Sequence, residues 1–299
     1  MKTLHLVILL ALLSSVLHAQ SRTMADATYA LKGPVRTFRT EVATFTLRGS
    51  DYIEGPRVVQ SEASFNVDGN RTDLRIYDNK GVLVRRIVMT FEGRRMTESI
   101  NYDGAGKMWL RMVHIYDEAG QIKETKSYRG DGSLSSTRSF KRNTNGQISE
   151  MAEYSAEGVP MEQINNRYEG PNLYSSERRL FDPTGTLRSK ELYVASEKRR
   201  DTTNYNADGS VTTKTIHTEQ QIAEYSADGS LRKSTTVSSQ GRLLDEVFVN
   251  NDGPSARRAQ IPDEVDSHGN WTKQTQWETD AKGTRPLKVT YRAITYYTN

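Results

Sequence analysis

Residues 74–91 read LRIYDNKGVLVRRIVMTF, and this stretch decides the fold. Leu74, Ile76, Val82, Val84, Ile87 and Met89 stand among Arg, Asp and Thr with the alternation of a half-buried strand, not the 3.6-residue period of a helix. In the middle lies Tyr77-Asp78-Asn79-Lys80-Gly81. A short polar side chain three residues before a glycine marks a type I turn, in which that side chain accepts a backbone hydrogen bond. The glycine supplies the left-handed conformation that closes a G1-bulge hairpin. The aromatic before the turn and the apolar residue after it then pair across the hairpin, contributing roughly 0.2–1 kcal/mol.

The same unit recurs in both directions along the chain. Copies include FNVDGNR, YDEAGQI, YRGDGSL, RNTNGQI, FDPTGTL, YNADGSV, YSADGSL and VDSHGNW. Their glycines, from Gly69 and Gly81 through Gly93, Gly170, Gly241 and Gly253 to Gly269, mostly follow at steps of about 12–14 residues. The longer interval from Gly185 to Gly209, across ELYVASEKRRD, reads as two steps with one glycine lost. Each turn reverses the chain, so the expected fold is all-β. It is a long antiparallel meander of roughly 15–20 short strands. The repeats span about residues 60–285 and PLKVTYRAITYY, residues 286–297, forms a terminal strand. So many strands cannot stay flat and open, so the sheet is expected to be strongly twisted, coiled or partly closed. One stretch departs from this pattern. TMADATYALKG predicts a short helix over residues 23–32, ending at Gly33 before Pro34.

The chain opens MKTLHLVILLALLSSVLHAQS, with Lys2 as a positive start, an apolar run and small residues before Gln20. This reads as a secretory signal peptide over residues 1–19, cut after Ala19. It leaves a single domain over residues 20–299 and predicts a periplasmic or secreted location. No later segment approaches the roughly 20 apolar residues of a membrane helix. The sequence has no cysteine, which excludes disulfides, thiolate metal sites and cysteine nucleophiles. Of its 5 His, only His114, His217 and His268 follow the leader. The formal charge of +4 is spread among interspersed signs, unlike a chain built to bind nucleic acid. A hydrophobic fraction of 35% is low for a globular chain, but 15 Tyr and 7 Phe argue against disorder.

These copies resemble the YD repeats of RHS-type proteins. Tyr77-Asp78-x-x-Gly81 and Tyr116-Asp117-x-x-Gly120 match the repeat fully. Phe181-Asp182-x-x-Gly185 substitutes Phe for Tyr, and Tyr154, Tyr205 and Tyr225 keep only the aromatic and the glycine. A second likeness is local. LKGPVRTFRTE (31–41), DSHGNWTKQTQWE (266–278) and YRAITYY (291–297) are similar to stretches of small exported YD-repeat proteins. The resemblance implies a strand-built shell or spiral and a loose association with carbohydrate and surface binding. The toxin cargo and self-cleaving core of RHS proteins have no counterpart here.

The remaining motifs favour structural readings. Arg129-Gly130-Asp131 lies on a repeat turn, where glycine and aspartate are expected anyway. Ser230-x-x-Lys233 has the serine–lysine spacing of penicillin-binding enzymes but follows a hairpin turn and lacks their partner motifs. The turn aspartates lack EF-hand spacing. His217-x-Glu219 and His268 ligate a metal only if folding brings them together. Paired arginines such as Arg85-Arg86 place one guanidinium on each face of a strand. Trp109, Trp271 and Trp277 are the candidate ligand-binding residues, because aromatics on a sheet face stack on sugar rings. No catalytic residue, cofactor or metal is assigned.

The resulting expectation is a non-enzymatic binding or scaffold protein of the cell envelope. Its ligand would be a glycan or an envelope protein, held on the sheet face or an exposed edge. The alternatives are a glycan hydrolase with an unrecognised carboxylate pair and a purely structural repeat that self-assembles edge to edge.

Overall fold

The computed structural model describes residues 31–196, 198–237, 243–250, 253–280 and 283–298. The expected signal peptide and most of the expected helix lie outside them. Leu31 and Lys32, the last two residues of that expected helix, are not helical.

Twenty-one strands follow one another. They are β1 (Val35–Arg48), β2 (Asp51–Glu54), β3 (Val58–Phe65), β4 (Arg71–Tyr77), β5 (Leu83–Glu92), β6 (Arg95–Asp103) and β7 (Met108–Tyr116). Next come β8 (Ile122–Arg129), β9 (Leu134–Arg142), β10 (Ile148–Ser155), β11 (Pro160–Glu169), β12 (Asn172–Phe181), β13 (Leu187–Ala195) and β14 (Arg199–Asn206). The last are β15 (Val211–Thr218), β16 (Gln221–Ser226), β17 (Leu231–Val237), β18 (Leu243–Asn250), β19 (Gly253–Val265), β20 (Trp271–Asp280) and β21 (Gly283–Tyr296). Each strand from β3 onward pairs antiparallel with the next, and β1 pairs with both β3 and β21. The sheet is therefore a closed 20-strand barrel, with β2 attached to β1 as an extension. The sheet expected to be strongly twisted, coiled or partly closed is thus fully closed. Among the described residues closure leaves no unpaired edge along the ring, and β2 pairs with β1 alone.

The hairpins fall into two classes. Eleven described turns have the bulged form, with glycine φ of 75° at Gly120 to 85° at Gly132. At Asp78 the carboxylate accepts from the backbone N–H groups of Lys80 (2.8 Å) and Val82 (2.9 Å), and Asp182 and Asp266 do the same in their own turns. Gly93 and Gly170, read above as ordinary copies, instead sit in two-residue turns with φ of 59° and 58°. The interval after Gly185 does hold two hairpin steps, β13 and β14 being joined without glycine. Gly241 lies outside the described residues, and Gly253 opens β19.

Directly opposed residues share a face. Following the register from Phe38 gives Ala63, Leu74, Ile87, Asn101 and Leu110 on one face. That face is crowded: Ser99, Asn101, His114, Thr125, Ser136, Glu162 and Glu278 are all buried on it. It is the inner face of the ring. The other face carries Arg75, Arg86, Arg111 and Lys126 with two-fifths or more of each side chain exposed, and faces outward. Inside, one sector is apolar: Leu31, Val35, Phe38, Ala63, Phe65, Leu74, Ile87 and Met89 form a buried cluster across β1 and β3–β5. Because strands alternate in direction, Leu31 and Tyr296 lie at the same end, here the near rim. The turns after β4, β6, β8, β10, β12, β14 and β16 form the far rim.

Candidate functional site

Three surfaces hold the polar chemistry of the barrel: its seam, its inner wall and the outer side of its far rim. The seam brings together the three stretches that share the local likeness. The Lys32 N–H donates to Asn270 Oδ1 (2.7 Å), and Asn270 Nδ2 donates back to the Lys32 carbonyl (2.9 Å) and to the Tyr296 hydroxyl (2.7 Å). Tyr296 in turn donates to Asp266 and stacks on His268, with ring centres 3.9 Å apart. Burial, and then the bond to Asp266, push the Tyr296 hydroxyl up to about 12. Partial burial acts to raise Asp266, but bonds from Tyr296, Asn270 and His268 hold its carboxyl below the usual range. Gly33 is tight here: a Cβ on it would sit 2.7 Å from the His268 ring.

On the inner wall, a row runs across five strands through His114, Thr125, Arg138, Glu153 and Glu162. Arg138 bonds both Glu153 and Glu162, and Glu162 also accepts from Arg178 Nε at 2.5 Å. Such pairs are stable only because each buried charge is met by another. His114 Nδ1 shares a hydrogen bond with Thr125 (2.9 Å). Burial, and then the nearby Arg138 guanidinium, push His114 down to about 4, so it is neutral at neutral pH. Beside this row, Arg178, Glu191 and Asn204 line a shallow depression of about 220 Å³. Among the described residues, no three His, Asp or Glu side chains converge as metal ligands. Several carboxylates are shifted downward, and each of these is held low by hydrogen bonds or cations.

The outer far rim carries an aromatic at the end of seven alternate strands: Tyr77, Tyr102, Tyr128, Tyr154, Phe181, Tyr205 and Tyr225. Register places all of them outward, as with Tyr128 opposite Arg111 and Tyr225 opposite Lys214. Two near-rim tyrosines behave differently. Tyr116 points inward and donates to the Met96 carbonyl (2.8 Å), and Tyr168 donates to that of Ile148 (2.9 Å).

The three tryptophans do not converge. Trp271 starts β20 at the near rim, under the Arg292 guanidinium at 3.4 Å, and Arg292 also lies 5.2 Å from the buried Phe38 ring. Trp277 is on the outer face toward the far rim, opposite Ala259. Trp109 begins β7 at the far rim, 37% exposed, with Arg85 at 5.4 Å. The rim tyrosines were legible in the sequence as turn-preceding aromatics. Their common outward face was not, because it depends on register.

The other motifs resolve as structure. Arg129 bonds the Leu134 carbonyl and Asp131 accepts from Ser133, so both charged ends of Arg129-Gly130-Asp131 are tied within the turn. Ser230 is held by Asp228 and Ser226, whereas Lys233 pairs with Glu246. His114 and His217 lie on β7 and β15, and His268 lies at the seam.

No family model matches the chain, and no curated protein does. Among solved structures, a porin-like protein from Bacteroides uniformis is 11% identical, over 90% of this chain and 100% of that one, with a TM-score of 0.37. The Tc holotoxin pore of Photorhabdus luminescens is 9% identical with a TM-score of 0.20, covering 83% of this chain. A TcdB2–TccC3 toxin structure is also 9% identical, with a TM-score of 0.20, covering 86%. The chain spans about a fifth of those two toxin chains. None of these likenesses establishes the YD-repeat family, and the barrel assignment stands on strand pairing.

Proposed function

We propose that this chain is a non-enzymatic binding scaffold of the cell envelope, a hydrophilic barrel that works in water rather than in lipid. The observation that supports this is the charge on both faces at mid-strand. A lipid-spanning barrel needs an outward apolar band about 25 Å tall, and a basic residue at its midplane costs roughly 2–4 kcal/mol. The outer face instead holds Arg86 paired to Asp73, Arg111 to Glu98 and Lys214 to Asp201. The inner face holds Arg138, Glu153, Glu162 and Arg178. Among the described residues, neither face offers the band. A glycosidase acid needs a raised pKa and a second carboxylate facing one sugar. Glu153 and Glu162 of the inner wall are instead locked to Arg138 and Arg178, which favours binding over catalysis. Export rests on the leader read at residues 1–19.

The test is purification without detergent, followed by flotation with phospholipid vesicles and bilayer conductance. A monodisperse protein that neither floats nor conducts is expected. Insertion with channel currents would overturn the reading.

A further inference from the structure

We propose that the inner wall holds a binding site for a copper(I) ion, with Met89, Met112 and His114 as its ligands. The inference stands apart from the scaffold reading above, because it concerns the inside of the ring and not what the protein meets outside.

Three observations lead to it. The first is register. Met89 on β5 lies opposite Ser99 on β6, and Ser99 lies opposite Met112 on β7. All three share the inner face with the neighbouring row of Ile87, Asn101 and Leu110. Two methionines thus flank one small serine, their backbones about 10 Å apart across three strands. Methionine is unbranched and flexible, so the two thioethers can close that gap over Ser99. His114 stands two residues beyond Met112 on the same strand and face, diagonal to Ser99.

The second observation is unmet bonding. His114 and Ser99 are 8% and 3% exposed, and His114 Nε2 and Ser99 Oγ are both buried with no hydrogen-bond partner. Buried polar atoms are nearly always partnered. Thr125 on β8 engages His114 Nδ1 at 2.9 Å, so Nε2, across the ring, is turned away from β8. Metal-binding histidines are held in this way, with the second ring nitrogen fixed by an outer hydrogen bond. Packing in the apolar cluster accounts for Met89 but not for the unpaired imidazole nearby. Water would satisfy the imidazole and the hydroxyl, yet would gain nothing from two thioethers.

The third is the kind of donor. Thioether sulfur is soft and uncharged, and with imidazole it suits copper(I). Calcium and magnesium take oxygen ligands, and zinc takes thiolate, imidazole or carboxylate. The residues beside the row on this face, Ile87, Asn101, Leu110 and Ser127, carry no carboxylate. Glu153 and Glu162, further round the wall, are held by Arg138.

The experiment is anaerobic titration of the chain from Gln20 onward with copper(I), in competition with the chelator bicinchoninate. One equivalent held against the chelator is expected, and equal amounts of zinc(II) or calcium(II) should not displace it. Met89→Leu with Met112→Leu keeps the core volume and should weaken binding at least about tenfold. Met161→Leu, at an exposed methionine, should leave it unchanged. A second measurement uses the unaltered chain, labelled with carbon-13 at the methionine methyls. Silver(I), a redox-inert stand-in, should shift the signals of Met89 and Met112 and not that of Met161, whether or not the double variant folds. The proposal is overturned if the chelator strips all the copper(I), if the folded double variant binds as tightly as the original, if zinc(II) displaces copper(I), or if silver(I) leaves the two methyl signals in place. None of these outcomes bears on the flotation and conductance test, so the scaffold reading stands or falls separately.

Discussion

At the scale of the residue, His114 shows how a position takes its chemistry from its neighbours. The sequence marks it only as one of three histidines after the expected leader. Its place on the inner wall, between Thr125 and the Arg138 guanidinium, makes it neutral. Its folded-state value of about 4 lies below the ordinary 6.5, so the unfolded chain takes up the proton first as pH falls. The associated stability is complete above pH 6.5 and is lost as pH falls toward 4, a difference of roughly 3 kcal/mol. Urea midpoints measured at pH 7 and pH 4.5 should therefore fall further for the native chain than for His114→Asn. The turn aspartates Asp78 and Asp182, held low by backbone and hydroxyl donors, are common to both proteins and cancel in that comparison. Equal falls in the two proteins would mean that His114 is not the group responsible.

At the scale of the element, the hairpin is the unit that the sequence spells out. Asp78 and Gly81 perform the roles read for them, and so do their counterparts at Asp182 and Gly185. What the repeat pattern did not disclose is why some turns contain a second glycine. Gly104 and Gly130 pack against the preceding far-rim hairpin: an added Cβ would lie 2.1 Å from the Leu83 carbonyl oxygen or 2.3 Å from that of Met108. The glycine of the Arg-Gly-Asp triplet is thus set by close backbone approach between neighbouring hairpins. At Gly209 the turn needs φ of 85°, but nothing lies within 4 Å. Gly209→Ala should then cost only the left-handed strain, about 1–2 kcal/mol. Gly130→Ala should cost more, because backbone must shift, and thermal unfolding of the two variants orders them. A milder effect at Gly130 would mean that the hairpins are less tightly stacked than the structure has them.

At the scale of the whole molecule, the deciding event is closure. β1 accepts β21 on one side and β3 on the other, which removes two edges that would otherwise stand open. Asn270 fastens the seam through Lys32 and Tyr296, residues more than two hundred positions apart in the chain. Asn143 opens an equivalent repeat turn without spanning any seam. Asn270→Ala should therefore destabilise the barrel by about 2–3 kcal/mol, through the buried donors and acceptors it orphans, and should promote self-association as the edges of β1 and β21 open. Asn143→Ala should lose only local turn bonds and stay monomeric, as light scattering with urea titration would show. If Asn270→Ala also stays monomeric and nearly as stable, the clasp is not what holds the ring shut.

The strand content, the antiparallel order and the form of most turns were determined by local sequence. Alternation and the aspartate-to-glycine spacing act within a dozen residues, where backbone geometry leaves few choices. The likeness among LKGPVRTFRTE, DSHGNWTKQTQWE and YRAITYY was also visible, but its reason was not, since the three meet only when the chain's ends do. Closure, the inward or outward sense of each tyrosine, and the pairing of Arg138 with Glu162 were decided by tertiary structure alone. Each depends on register accumulated over many hairpins. A shift of one residue would exchange the two faces, and both faces of this sheet are polar enough that hydrophobic pattern could not say which one turned inward.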